Sequence, residues 1–466
     1  MSPASLRHYR ALGVLLVVGI IAAATPASSQ VTMVEDINDG AGGTYGFRAG
    51  ALGSAIYFNA YDGVHGEELW VSDGTAEGTY LVKDIWPDTT TDASLAYSSN
   101  PQQFLAGSGG MYFMAAHQEE PLNPPIHDIH LWVSNGNPDN ASIVPGFELA
   151  LVDSLQNAVV MDGDLFLTGW DETYGIELWR VSGTTATRLT DIEPGVGGSF
   201  PNYLTVVGSQ LFFQATNSAT YGTELWVSDG TAGGETLLEI VPSTWSSSPS
   251  DIVAFDGKAY FQAYTDDFGA ELWSSDGSES GTAMVVDIAE GYNASSDPMN
   301  LVPVGDQLFF TASNDGGSSY DLWVYDGAEA RKVKADGTPS VSQPIAFDGR
   351  LFFVANDPDA GNEIWVSDGT DEGTGLFVDI YPGSTFVGED EYPHSSNPAE
   401  LTVAGDFLFF NADDGTNGPS LWVTDGTEAG TFMVADLFDS TLEEGPKGLT
   451  ATTNRLFFQT ESEEYG

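Results

Sequence analysis

The sequence predicts an all-β fold, a β-propeller of four-stranded antiparallel blades, on three observations. A segment centred on Glu-Leu-Trp returns eight times, placing Trp70, Trp132, Trp179, Trp226, Trp273, Trp323, Trp365 and Trp422 at equivalent positions. The returns come roughly every 50 residues, close to the span of one propeller blade. Between them, short apolar runs alternate with Gly- and Asp-rich turns, and no helical periodicity appears beyond the N-terminal stretch.

Each unit has the same parts in the same order. An apolar strand ends in a tight turn, as in Leu204–Gly208, and leads into a Leu-Phe-Phe run such as Leu211–Phe213. A loop of Asn, Asp and Gly follows, then Glu224-Leu225-Trp226-Val227, the turn Ser228-Asp229-Gly230-Thr231 and a last strand over Thr236–Val241. Short β-rich runs joined by such turns are antiparallel hairpins. The Leu-Phe-Phe run is apolar at consecutive positions, so both of its faces are expected to be buried, as stacked blades require.

The ends add a ninth, partial unit to the eight full ones. Val31–Ile37 has the pattern of a last strand with nothing before it, and Gly448–Thr460 supplies two first strands without a Glu-Leu-Trp segment. Pairing of these pieces in one composite blade would close the ring and remove its open edges.

Glu68-Leu69-Trp70-Val71-Ser72-Asp73-Gly74-Thr75, followed by Gly78-Thr79 and Val82-Lys83-Asp84-Ile85, resembles the ELWxxDGT repeat of bacterial secreted and surface proteins, often labelled hyalin-like. The resemblance covers essentially the whole chain after its first 29 residues. It implies a propeller-like extracellular repeat, adhesion or matrix roles, and no established catalytic activity. Three units depart from the pattern, with Asn135-Gly136, Ser182-Gly183-Thr184 and Asp326-Gly327-Ala328 at the turn.

Residues 1–29 read as a signal peptide: Arg7, His8 and Arg10, an apolar stretch from Ala11 to Ala24, then the small residues Ala27 and Ser29. Residues 30–466 form the repeat domain of a chain expected to be secreted or displayed at a bacterial surface. No later stretch has the roughly 20 apolar residues of a membrane-spanning helix, so no membrane insertion is expected. Cysteine is absent, so packing alone must hold the exported chain. Once Arg7 and Arg10 leave, 11 basic residues face 68 acidic ones, a net charge of about −57. Like charge argues against nucleic acid, anionic membranes and acidic polymers as partners. The acidity is read chiefly as a solvated coat suited to salt.

The turn aspartates Asp73, Asp229, Asp276, Asp326, Asp368 and Asp425 are expected to accept hydrogen bonds from the turn that follows them. The Glu before Leu-Trp (Glu68, Glu177, Glu224, Glu271, Glu363) is expected to be a satisfied strand-end group. One loop, Asn356–Glu363, sets Asp357, Asp359 and Glu363 around a Gly and is the candidate for Ca2+. The second unit carries His117, Glu119, Glu120, His127, Asp128 and His130, chemically able to ligate zinc but matching no spacing of a zinc site. The repeated Trp are expected between blades, whereas Trp86, Trp170 and Trp245 fall outside the repeat position and are candidates for ligand contact.

No nucleophile elbow, zinc-protease helix, phosphate loop or cysteine nucleophile occurs. The sequence therefore reads as an extracellular binding, adhesion or structural module for a glycan or protein ligand. The alternative is a polysaccharide-active propeller enzyme, a hydrolase or lyase using carboxylates in the central channel.

Overall fold

A computed structural model describes residues 15–19, 30–35, 37, 47–87, 97–117, 128–146, 148–149, 155–242, 245–317, 319–334, 340–388, 390–435 and 445–459. The fold is an all-β propeller. Among the described residues there are eight four-stranded sheets, one five-stranded sheet and a two-stranded hairpin, and every named strand pair is antiparallel. The helical turns among the described residues are two of three residues, Glu279–Gly281 and Glu428–Gly430. No helix among these residues is long and apolar enough to cross a membrane.

Two compact units make up the chain. One comprises Met1–Ala106, Gly110–Ser142 and Glu400–Gly466; the other, unit 2, comprises Gly107–Gly109 and Ile143–Ala399. In the first unit the N- and C-terminal strands share one sheet, ordered Gln30–Glu35, Leu15–Gly19, Arg455–Gln459, Lys447–Ala451. Leu15–Gly19 lies inside the stretch read as the signal peptide, yet it takes the third-strand place, with Leu16 opposite Phe458 and Val18 opposite Val31. Its apolar, partly β-branched sequence suits a strand as well as a leader. The remainder of the leader lies outside the described residues.

The Trp226 sheet shows how each blade is built. Asn202–Val207, Gln210–Asn217, Gly222–Ser228 and Glu235–Leu238 pair in that order, with Phe213 opposite Trp226 and Trp226 opposite Leu237. The Leu-Phe-Phe run does bury both faces. Leu211 and Phe213 pack with Trp226 against Met161, Phe166 and Leu178 of the preceding sheet, while Phe212 packs against Ile252 and Phe261 of the following one. The same division recurs along unit 2, with Phe309 and Phe310 facing opposite neighbours. Consecutive apolar residues on one strand are thus the adhesive between sheets.

The repeated Trp sit in these layers to different depths. Trp132, Trp179, Trp226 and Trp365 are buried, and Trp70, Trp273, Trp323 and Trp422 are half-buried. Trp323 and Trp422 also donate their indole N–H to the carbonyls of Ala312 and Ala412.

Candidate functional site

The two ends of each blade do different work. Strands one and three start at the end where strand two finishes, so the connections between blades and the second loop of each blade lie together there. The first and third turns lie at the opposite end. In unit 2 the opposite end carries the Asp-Gly turns. Asp229 Oδ1 accepts from the backbone N–H and the hydroxyl of Thr231, at 2.9 and 2.6 Å, and Asp276 and Asp368 do the same with Ser278 and Thr370. Asp73 and Asp425 repeat the arrangement in the first unit. These hydrogen bonds, first of all that from the residue-231 hydroxyl, hold Asp229 below the usual carboxylate range. The second Gly of the repeat is required by the same contact: a Cβ on Gly234 would lie 2.0 Å from Asp229 Oδ1.

The connection end is held by the Glu of Glu-Leu-Trp. Glu224 is fully buried, and its carboxylate accepts from Ser247 Oγ at 2.6 Å, Ser247 N at 3.0 Å and Ile240 N at 3.0 Å. Glu68 with Ser99, Glu177 with Ser199, Glu271 with Ser296 and Glu363 with Ser396 make the same contact, the hydroxyl oxygens lying 2.5–2.7 Å from the carboxylates. Burial raises these carboxyls more than the donors lower them; Glu68 is pushed up to about 8. The latches of Glu68, Glu177, Glu224 and Glu271 each tie one sheet to the start of the next. Where the Glu is replaced, by His130, Asp321 or Ser420, the matching Ser is also replaced. Asp321 pairs instead with Lys332, at 2.7 Å.

That geometry bears on the calcium candidate. Glu363 faces inward to Ser396 and Ile380, while Asp357 Oδ1 accepts from the N–H of Asp359 and Ala360, and Asp359 is exposed. The structure does not bring the three carboxylates together, and no group of three or more His, Asp or Glu able to hold a metal ion occurs among the described residues. Of the histidine cluster in the second repeat, Glu119, Glu120 and His127 lie outside the described residues. Of the off-repeat Trp, Trp86 is buried and stacked on Tyr97, Trp170 is half-buried, and Trp245 is 66% exposed.

Trp245 belongs to a larger pattern. Among the described residues, every exposed large apolar side chain of unit 2 except Leu376 lies at the connection end, including Phe200, Tyr203, Phe268, Tyr292 and Tyr320. A cavity of about 280 Å³ opens among the same first strands, lined by Gln156, Asn157, Tyr203, Thr205, Asp251 and Asn300 above an apolar wall that includes Val159, Leu204 and Ile252.

The backbone there is strained in a repeating way. Tyr203, Asp251, Asn300 and Gln343 occupy the second position of successive first strands with φ of 54°, 52°, 56° and 49°. Each sits in a bulge, where two residues oppose one on the second strand. Gly448 holds the equivalent bulge of the terminal sheet, with φ 65°. A left-handed conformation costs a non-glycine residue about 1–3 kcal/mol, and for an aromatic it is rare. Asp251 offsets part of this by accepting from Asn300 N across the sheet junction, at 3.0 Å. Sequence reasoning missed this row; its one signal is a Pro two residues ahead, at Pro201, Pro249 and Pro298.

No protein-family model and no curated protein matches the chain. Among solved structures it is similar to puromycin hydrolase, at 14% identity and TM-score 0.37, with 81% of this chain and 59% of that chain covered. It is likewise similar to an oligogalacturonate lyase in complex with manganese, at 12% and 0.37, with 77% and 87% covered. The β-propeller domain of the Trilobed protease from Pyrococcus furiosus aligns at 11% and 0.36, with 72% and 95% covered. The chain thus spans about three-fifths of the length of the hydrolase.

Proposed function

We propose that the chain is an exported, non-catalytic binding module that captures an extracellular polymer at the connection end of unit 2. One observation carries the reading: the exposed aromatics and the cavity converge on that end, and the opposite end is given over to turns closed by their own hydrogen bonds. Contiguous exposed apolar side chains beside a concave site mark recognition surfaces. Aromatic faces suit the C–H faces of sugar rings, and the scarcity of basic groups makes an uncharged polysaccharide a better partner than an acidic one.

The test uses the secreted chain, its N-terminus at Gln30 checked by intact mass. Immobilised neutral and acidic polysaccharides and a panel of secreted proteins are offered to it, and new reducing ends are followed in the same wells. Retention on a neutral polysaccharide without new reducing ends is the expected result. Release of reducing ends would instead assign the polysaccharide-active enzyme.

A further inference from the structure

We propose that the cavity among the first strands of unit 2 is a subsite for a single neutral sugar ring, read through its vicinal hydroxyls by Asp251, Asn300 and Tyr203. This inference rests on the binding-module reading and deepens it.

Size comes first. At about 280 Å³ the cavity lies just below the range of drug-sized pockets, about 300–1,000 Å³, so it fits one ring rather than a chain of them. Its walls then divide by chemistry. Val159, Leu204 and Ile252 give an apolar side suited to the C–H face of a pyranose. The polar side offers atoms that the fold leaves unused. Asp251 accepts from Asn300 N at Oδ2, and its Oδ1 makes no hydrogen bond among the described residues. Asn300 gives its amide N–H to Thr311, at 3.2 Å, and leaves its carbonyl oxygen. The Tyr203 hydroxyl has no partner among the described residues, where only its backbone is hydrogen-bonded, and it can donate or accept.

A sugar hydroxyl both donates and accepts. Two acceptors and one ambivalent hydroxyl, on adjacent strands, match a pair of neighbouring hydroxyls. They do not match a carboxylate, sulfate or phosphate, which would meet Asp251 with no Lys or Arg on the lining. The left-handed bulges supply the second half of the argument. Three of the lining groups, Tyr203, Asp251 and Asn300, are the bulge residues themselves. A glycine satisfies this backbone at Gly448 without strain, so the side chains at 203, 251 and 300 are held there against a backbone preference. Bulges commonly re-aim side chains beside binding sites.

Free D-glucose, D-galactose and D-mannose, with glucuronic acid and glucosamine as charged counterparts, are titrated against the full secreted chain. Saturation-transfer NMR reads binding, at low and high sodium chloride. At least one neutral hexose should bind, with little salt dependence, and glucuronic acid should not. Asp251→Asn should weaken that hexose about tenfold, and Tyr203→Phe, which removes only a hydroxyl, should weaken it several-fold at an unchanged melting temperature. If polysaccharide is retained but no free hexose binds, or the variants bind hexose like the parent, the subsite is wrong and the binding module stands. Binding of glucosamine alone, lost at high salt, would make it an ammonium site and overturn the proposal. Failure to retain any polymer as well would remove the module reading with it.

Discussion

Glu224 and Ser247 meet at 2.6 Å across the junction between two consecutive sheets, both fully buried. The contact joins the strand that carries Trp226 to the chain as it turns into the next blade, so it fixes the path by which one sheet hands over to another. Five such latches are present, and the Ser and the Glu are lost together where the repeat degenerates.

Removing one latch hydroxyl is therefore expected to be felt. Ser247→Ala should cost about 1–3 kcal/mol, the penalty of leaving a buried polar group short of its partner. Ser340→Ala, at an exposed serine, should stay within about 0.5 kcal/mol. Urea denaturation of the two variants measures both; equal midpoints would remove the latch from the account.

The same carboxyls set the pH response. Glu68, Glu177, Glu224, Glu271 and Glu363 are raised in the folded state, chiefly by burial. Their contribution is complete below the unfolded value of about 4.3 and is lost as pH rises through the folded values, about 8 for Glu68. The turn carboxyls Asp229, Asp276 and Asp368 are lowered, so theirs is lost as pH falls below the unfolded value of about 3.9. Melting temperature at fixed ionic strength should peak in the mildly acidic range and fall toward about pH 8, and Glu68→Gln should flatten that fall. A steady rise to pH 8 would contradict it.

Two tryptophans separate packing from recognition. Trp226 is buried in a cluster with Met161, Phe166 and Phe213, and Trp226→Ala should cost about 3–5 kcal/mol. Trp245 is 66% exposed, so Trp245→Ala should leave the melting temperature within a degree or so and act only on binding. Thermal melts of the two variants decide this directly.

The sequence made the propeller legible because its adhesive is local. A Trp every 50 residues or so and a Leu-Phe-Phe run with no polar alternation specify blades buried on both faces, as Phe212 and Phe213 show by packing in opposite directions. The latch was less legible. Glu224 and Ser247 are 23 residues apart and belong to different sheets, and only comparison of the repeats pairs them. The bulge row was not legible at all, because the sign of φ at Tyr203 follows from strand pairing rather than from its own side chain. Glu363, read from the sequence as part of one loop with Asp357 and Asp359, accepts from Ser396, 33 residues away, a partner its own loop does not reveal.

Ions should act mainly by screening. With a net charge of −55 in the full sequence, sodium chloride should raise the melting temperature as the Debye length shrinks to about 10 Å near 0.1 M. Because Glu363 is turned away from Asp357 and Asp359, Asp357→Asn with Asp359→Asn should leave any calcium increment unchanged at matched ionic strength. A calcium increment that disappears in the double variant would place an ion in that loop.

The most direct measurement compares the two ends of unit 2 on one retained polysaccharide, with the chain otherwise intact. Trp245→Ala with Tyr292→Ala alters two exposed aromatics at the connection end, and Lys258→Ala with Glu279→Ala alters two exposed residues at the opposite end. Both double variants should melt with the parent. Retention should fall at least tenfold, about 1.4 kcal/mol, in the first and stay at the parental level in the second. Equal retention by the two, or loss confined to the second, would contradict binding at the connection end.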